Sequence, residues 1–187
     1  MLLSTINIDV DKIDECFYAI ANELINNHVL IVGNSSYQIS NVEFYYYNQE
    51  CHRDENCHSL KSKRAKDRQL LNSKWYVHKK SINPKYKRKG IDFTIGDGTN
   101  LGGVLIKEVI RIEDNTKFTQ SKFIDELISI LNPTNPDHLI KMIEEEELLK
   151  FKMNEGRKKH NILKDKRVGL AKETYKNNLY AFRIKHF

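Results

Sequence analysis

The segment Asn41-Val42-Glu43-Phe44-Tyr45-Tyr46-Tyr47 constrains the fold more than any other stretch. With Tyr37 and Ile39 before it, it is a run of aromatic and β-branched residues too short for a helix, and it reads as a β-strand. One carboxylate, Glu43, stands among the aromatics. Burying a carboxylate is costly unless it is paired or put to use. An acid held among π-faces is what a site for a flat, uncharged or cationic ring would need. The plainer alternative is an edge strand whose Glu43 faces water. The strand by itself does not separate the two.

Further strand patterns surround it. Val29-Leu30-Ile31-Val32 is a short apolar run, turned by Gly33-Asn34-Ser35-Ser36 into the aromatic strand as a hairpin. Trp75-Tyr76-Val77-His78, Ile91-Asp92-Phe93-Thr94-Ile95 and Val104-Leu105-Ile106 follow, and Val109, Ile110 and Ile112 continue the last of these. The glycine-rich residues 96–103 precede a strand, not a helix, so they read as a hairpin turn and not as a phosphate cradle. Helical periodicity marks residues 11–26, 121–131 and 136–151, with Pro136 in a first turn and Glu144 to Glu147 on the solvated side. Residues 48–73 read as a long irregular connection, 154–167 as a polar connector, and 175–187 as a final strand. The expectation is a single α+β domain over 1–187, a curved antiparallel meander flanked by helices. Residues 37–107 would hold the sheet and active-site core, with a helical segment at 119–151 packed on it.

Charge is uneven along the chain. Residues 1–60 carry two basic and nine acidic side chains, whereas residues 61–90 carry twelve basic and one acidic. That block accounts for the whole net charge of +6 and is the footprint of a polyanion binder. Three cysteines are too few and scattered for a disulfide framework, so a reducing cytoplasmic setting is expected, with no membrane span; a DNA partner would make it nucleoid-associated, or nuclear in a eukaryote. Cys51, His52, Cys57 and His58 invite a zinc reading, but four ligands within eight residues leave little backbone to wrap a tetrahedron. No metal or other cofactor is therefore expected.

Within the basic block Lys79, Lys80, Lys85, Lys87, Arg88 and Lys89 lie on one loop between two strands, with Tyr86 among them. Such a tip can grip phosphates and push an aromatic wedge into a base stack. An enzyme acting on a base must first take it out of the helix and hold it between aromatic faces. Glu43, Tyr45, His58, Tyr76 and His78 would make that pocket, with the acid activating a water.

The order of these features resembles the alkyladenine (3-methyladenine) DNA glycosylase family. Its Glu-Ala-Tyr-type strand is matched by Glu43-Phe44-Tyr45, and its Asp…His-Ser segment by Asp54-Glu55-Asn56-Cys57-His58-Ser59. Its Tyr-Val-Tyr strand resembles Tyr76-Val77-His78. Lys89-Gly90-Ile91-Asp92-Phe93 is similar to its Tyr-Gly turn and strand, and Gly102-Gly103-Val104-Leu105-Ile106-Lys107 to its Gly-x-Val-Leu-Leu-Arg segment. Arg167-Val168-Gly169-Leu170 is a fainter match. The resemblance implies that a damaged purine is flipped from double-stranded DNA and its N-glycosidic bond hydrolysed without a metal, by a monomer. It further implies that Glu43 is the general base, that Tyr45, His58 and His78 contact the base, and that Lys107 stands where the family keeps an arginine. The chain departs from the family at His78, in place of a stacking tyrosine, and at Gly96, in place of an asparagine beside the base. The rival readings are a nucleic-acid-binding protein without catalysis, using residues 61–90, and a metal-dependent hydrolase built on the Cys51–His58 cluster.

Overall fold

The structure is a computed structural model that describes residues 6–78, 89–156 and 158–185. The 3-10 turn Val10–Lys12 opens helix α1 (Ile13–Asn22), and the Asp9 carboxylate accepts from the Asp11 N–H at 3.1 Å. One π-helical turn, Glu23–Asn27, leads into β1 (His28–Val32). Gly33, at φ +56°, supplies the left-handed backbone that turns β1 into β2 (Ser35–Asn48), which gives the expected hairpin.

The remaining elements are β3 (His52–Arg53), α2 (Lys63–Gln69), β4 (Asn72–Val77), β5 (Ile91–Ile95), β6 (Leu101–Arg111) and β7 (Lys117–Thr119). Then come α3 (Gln120–Leu131), α4 (Pro136–Glu144), β8 (Leu149–Met153), β9 (Ile162–Asp165) and β10 (Ala181–Ile184). The main sheet runs β4-β5-β6-β2-β1-β8, every pairing antiparallel, and β10 joins β2 and carries β9. The molecule is a single α+β domain. Its sheet is strongly curled, because Trp75 on β4 stacks on Phe151 of β8 at 5.3 Å and donates from Nε1 to the Leu149 carbonyl at 3.0 Å.

The longest strand, β2, lies inside the sheet between β1 and β6, and Glu43 is only 3% exposed, so the edge-strand alternative is excluded. Its pairing with β6 shifts register on both sides of Asn41. Side chains alternate faces along a strand, and an irregularity of this kind changes which parity faces inward. Tyr37 and Ile39 therefore share the core with Val42, Phe44 and Tyr46. Phe17 of α1 stacks on Phe44 at 4.6 Å, and Phe123 of α3 meets Tyr37 edge-on at 5.4 Å. Helices α1 and α3 thus cover the apolar face of the sheet, which leaves the opposite face for Glu43 and Tyr45.

Three expectations are corrected. Residues 48–73 contain α2, whose Lys-Arg-Ala-Lys-Asp-Arg-Gln sequence lacks an apolar stripe; Ser62 caps it by accepting from the Ala65 N–H at 3.2 Å. The third helix ends at Glu144, not 151. Glu147 reverses the chain at φ +50°, and residues 149–153 pair with β1, so part of the 119–151 segment is strand. Residues 154–167 include β9, which needs β10 as a partner before it can form.

Glu144 is buried, not solvated. Its Oε1 accepts from the Val77 N–H at 2.7 Å and from Arg64, while Arg68 donates to its backbone carbonyl at 2.5 Å. Burial raises this carboxyl above the usual glutamate range, against the pull of the Val77 N–H and the two guanidiniums. It closes the open edge of β4. Glu144→Ala leaves a buried N–H without its acceptor and should lower stability by about 2 kcal/mol in urea denaturation. A variant as stable as the parent would deny Glu144 this role.

Candidate active site

Period-two alternation builds the site. Trp75 and Val77 on β4, Ile91, Phe93 and Ile95 on β5, Val104 and Ile106 on β6, and Val42 and Phe44 on β2 belong to the core. Their neighbours Tyr76, His78, Asp92, Leu105, Lys107, Glu43 and Tyr45 consequently share the other face. Register aligns them. Tyr76 pairs with Asp92, Asp92 with Leu105, and Leu105 with Glu43, which makes one row across four strands.

At one end of the row Glu43 is fully engaged. The Tyr45 hydroxyl donates to Oε2 at 2.9 Å, Lys107 Nζ stands 3.3 Å from Oε1, and the Val168 N–H reaches Oε1 at 3.4 Å. Burial, reinforced by the charge of Glu43, holds the Tyr45 phenol well above the usual tyrosine range, so it stays a donor at neutral pH. At the other end Asp92 is 2% exposed. Its Oδ1 binds His78 Nε2 at 2.9 Å, and its Oδ2 accepts from Gln69 Nε2 at 2.7 Å.

Between these ends lies a cleft of about 200 Å³, lined by Tyr45, His58, His78, Asp92, Leu105 and the loop residues Gly169 to Ala171, among others. Tyr45, His58 and His78, expected to contact a base, meet there. The His58 and His78 rings are 4.4 Å apart. Tyr76 is buried behind the two histidines, 5.1 Å from His78, with the Arg64 guanidinium over its ring at 4.9 Å. It buttresses the wall and is not among the cleft's lining residues. Glu43 and Lys107 adjoin the cleft through the Tyr45 hydroxyl.

Residues 167–174 close the site over this face. Arg167 is buried with Asp54 in an ion pair with no exposure on either side chain. Its guanidinium also donates to the carbonyls of Phe44 at 3.0 Å and Tyr175 at 3.3 Å, and lies over the Tyr45 ring at 4.7 Å. Asn56 clamps the same segment by accepting from the Lys172 N–H at 3.0 Å and donating to the Thr174 carbonyl at 3.0 Å. Sequence reasoning matched Asp54 and Arg167 only within longer segments and gave them no role. Asp92 was likewise matched only within a segment, although its alternation with the apolar Ile91 and Phe93 was an available signal, and Gln69, at the end of α2, went unnoticed.

The candidate metal cluster does not assemble. Cys51 is exposed and Cys57 buried, the latter with burial pushing its thiol well above the usual range. His52 donates from Nδ1 to the Tyr46 carbonyl at 2.9 Å and stacks on Tyr175 at 4.0 Å, and burial lowers its pKa. Among the described residues no group of three or more His, Cys, Asp and Glu is arranged to hold a metal ion. Lys79, Lys80, Lys85, Tyr86, Lys87 and Arg88 lie outside the described residues. Lys89 pairs with Asp125 of α3. No described helix is long and apolar enough to cross a membrane.

Asp54→Ala would strand the Arg167 guanidinium in the interior, and a loss of about 3–5 kcal/mol is expected in urea denaturation. A loss below about 1 kcal/mol would show that the other acceptors suffice. No family model matches the chain, and no curated protein matches it as a relative.

Proposed function

We propose that this protein is a monofunctional DNA glycosylase that flips an alkylated purine out of duplex DNA and hydrolyses its N-glycosidic bond. The observation that carries the reading is the buried Glu43, held by Tyr45 and Lys107 beside a small cleft walled by Tyr45, His58 and His78. A base reaches such a cleft only after leaving the stack. An alkylated adenine is cationic, which suits π-faces and a carboxylate, and makes the base a better leaving group.

In this reading Glu43 takes a proton from a water whose oxygen bonds to the sugar C1′. The bond from C1′ to the base nitrogen breaks, and its electron pair leaves with the purine. Lys107 compensates the carboxylate charge, and the Tyr45 hydroxyl fixes the carboxylate's orientation. A groove of about 830 Å³ next to the cleft supports a nucleic-acid partner, since Lys61, Lys63 and Lys66 line it and Lys61 belongs to both.

The test is release of 3-methyladenine from alkylated duplex DNA. Glu43→Gln should cut the single-turnover rate by about 100-fold or more while duplex affinity stays close to that of the parent. Release by Glu43→Gln at the parental rate would remove the mechanism. Salt-sensitive binding without release by the parent protein would leave a binding module instead.

A further inference from the structure

The main sheet path ends in β4 on one side and β8 on the other, and the two edges are treated differently. On β4 the outward backbone groups are closed by side chains. Glu144 accepts from the Val77 N–H at 2.7 Å, Arg64 donates to the Val77 carbonyl at 3.0 Å, and Arg68 donates to the Trp75 carbonyl at 2.8 Å. An edge sealed in this way does not accept a further strand.

Two bonds show which groups of β8 point outward. The Leu149 carbonyl accepts from the Trp75 ring and so faces away from β1, whereas the Asn154 N–H donates to the Asn27 carbonyl on the β1 side. Backbone groups alternate along a strand, so Lys150 and Lys152 bond to β1, and the N–H and carbonyl groups of Phe151 and Met153 point outward. Among the described residues no side chain and no neighbouring segment gives these outward groups a partner.

The side chains add a pattern to this open edge. Phe151 is half-buried and Met153 is 53% exposed on one face of β8, while Lys150 and Lys152 are exposed on the other. Residues 148–160 carry five basic side chains against Glu155 alone. Asn26 of the π-helical turn ties the far end of this stretch to the same side of the sheet. Its side chain accepts from the His160 N–H at 2.8 Å and donates to the His160 carbonyl at 3.0 Å, and Asn154 donates to its backbone carbonyl at 3.2 Å. Lys158 and Lys159, both exposed, directly precede that anchor.

We propose that the outer edge of β8 is a docking site for a partner protein, which adds an extended segment of alternating acidic and apolar residues as an antiparallel strand. Directly opposed side chains share a face. Acids of the segment therefore meet Lys150 and Lys152, and its apolar residues rest on Phe151 and Met153. Backbone hydrogen bonds supply affinity in such pairing, and the alternation supplies specificity. A second copy of this chain fits badly, because antiparallel pairing centred on Phe151 sets Lys150 against Lys152, and like charges directly opposite repel. Nucleic acid fits badly too, because the edge presents carbonyl oxygens beside its N–H groups, and carbonyls repel phosphate. No residue of β8 lines the cleft, so the site stands apart from the chemistry proposed for Glu43.

Trp75, the lone tryptophan, stacks on Phe151 at 5.3 Å, so its fluorescence reports on this edge. The full chain is titrated with the peptide acetyl-Glu-Val-Glu-Ile-Glu-Val-Glu-amide, and with the same peptide N-methylated at its apolar residues. Saturable binding of the first is expected. N-methylation removes the donors that face β8 and should weaken binding about 10-fold or more. The double substitution Lys150→Glu and Lys152→Glu should do the same, and added salt should weaken binding to the parent. Met153→Pro removes one outward N–H while leaving the bonds to β1, a change edge strands tolerate. It should weaken binding with the urea midpoint unchanged. Equal binding of the N-methylated peptide would reduce the edge to a charged patch and overturn the proposal. Absence of saturable binding would overturn it as well. Duplex DNA affinity that falls in the double-lysine variant, with no peptide binding, would assign the face to nucleic acid instead. Self-association of the parent that Met153→Pro abolishes would assign it to a second copy.

Discussion

The buried pair of Arg167 and Asp54 holds the site together. Removing two charges from water is expensive, and a single contact does not repay it. Here the guanidinium also meets the Phe44 and Tyr175 carbonyls and two tyrosine rings, Tyr45 at 4.7 Å and Tyr180 at 5.5 Å. Those contacts pin a chain segment that has little regular structure of its own to the polar face of the sheet. Val168 then presents its N–H to Glu43, and Gly169 to Ala171 become a wall of the cleft. Asn56 adds a second anchor from the same stretch as Asp54. Two short segments far apart in sequence thus form one lid.

The sheet supplies the rest by geometry. The irregularity at Asn41 lets both halves of β2 bury their large side chains while Glu43 and Tyr45 point the other way. Without it, either Tyr37 and Ile39 or Phe44 and Tyr46 would leave the core. The same face receives Asp92 from β5 and Lys107 from β6. Two acids held on either side of β6 stand apart and take different partners, Lys107 for one and His78 for the other.

Two positions singled out in the sequence, 96 and 78, have physical explanations in the structure. At position 96 a Cβ would lie 2.1 Å from the Gln69 carbonyl oxygen, and the Gly96 N–H donates to the Leu71 carbonyl at 3.0 Å. No side chain fits there, because the end of α2 docks directly on the β5–β6 turn. Gln69, brought in by that docking, fastens Asp92. His78 belongs to the same arrangement, since Asp92 on the neighbouring strand gives the imidazole a partner.

Alternation and turn chemistry made much of the fold legible in the residues. The β1–β2 hairpin, β4 to β6, α1 and α3 follow from local periodicity, because each buries a face that its own sequence defines. Tyr45, His58 and His78 were named together from their order and types, and the structure brings them to one cleft. What local pattern lacks is partner information. Leu149–Met153 looked like the end of a helix because its apolar residues fit either period, and pairing with β1 decided for strand. Glu144 looked solvated because nothing near it in sequence needs it, whereas the free edge of β4 does. By itself, then, the sequence determined which residues face inward along β4 to β6, α1 and α3, and that Glu43 stands among aromatics. Only the tertiary structure decided that Asp92 sits across the row from Glu43, and that Arg167 closes the site over it. Cross-strand register and a buried ion pair spanning more than a hundred residues leave no local trace in a chain.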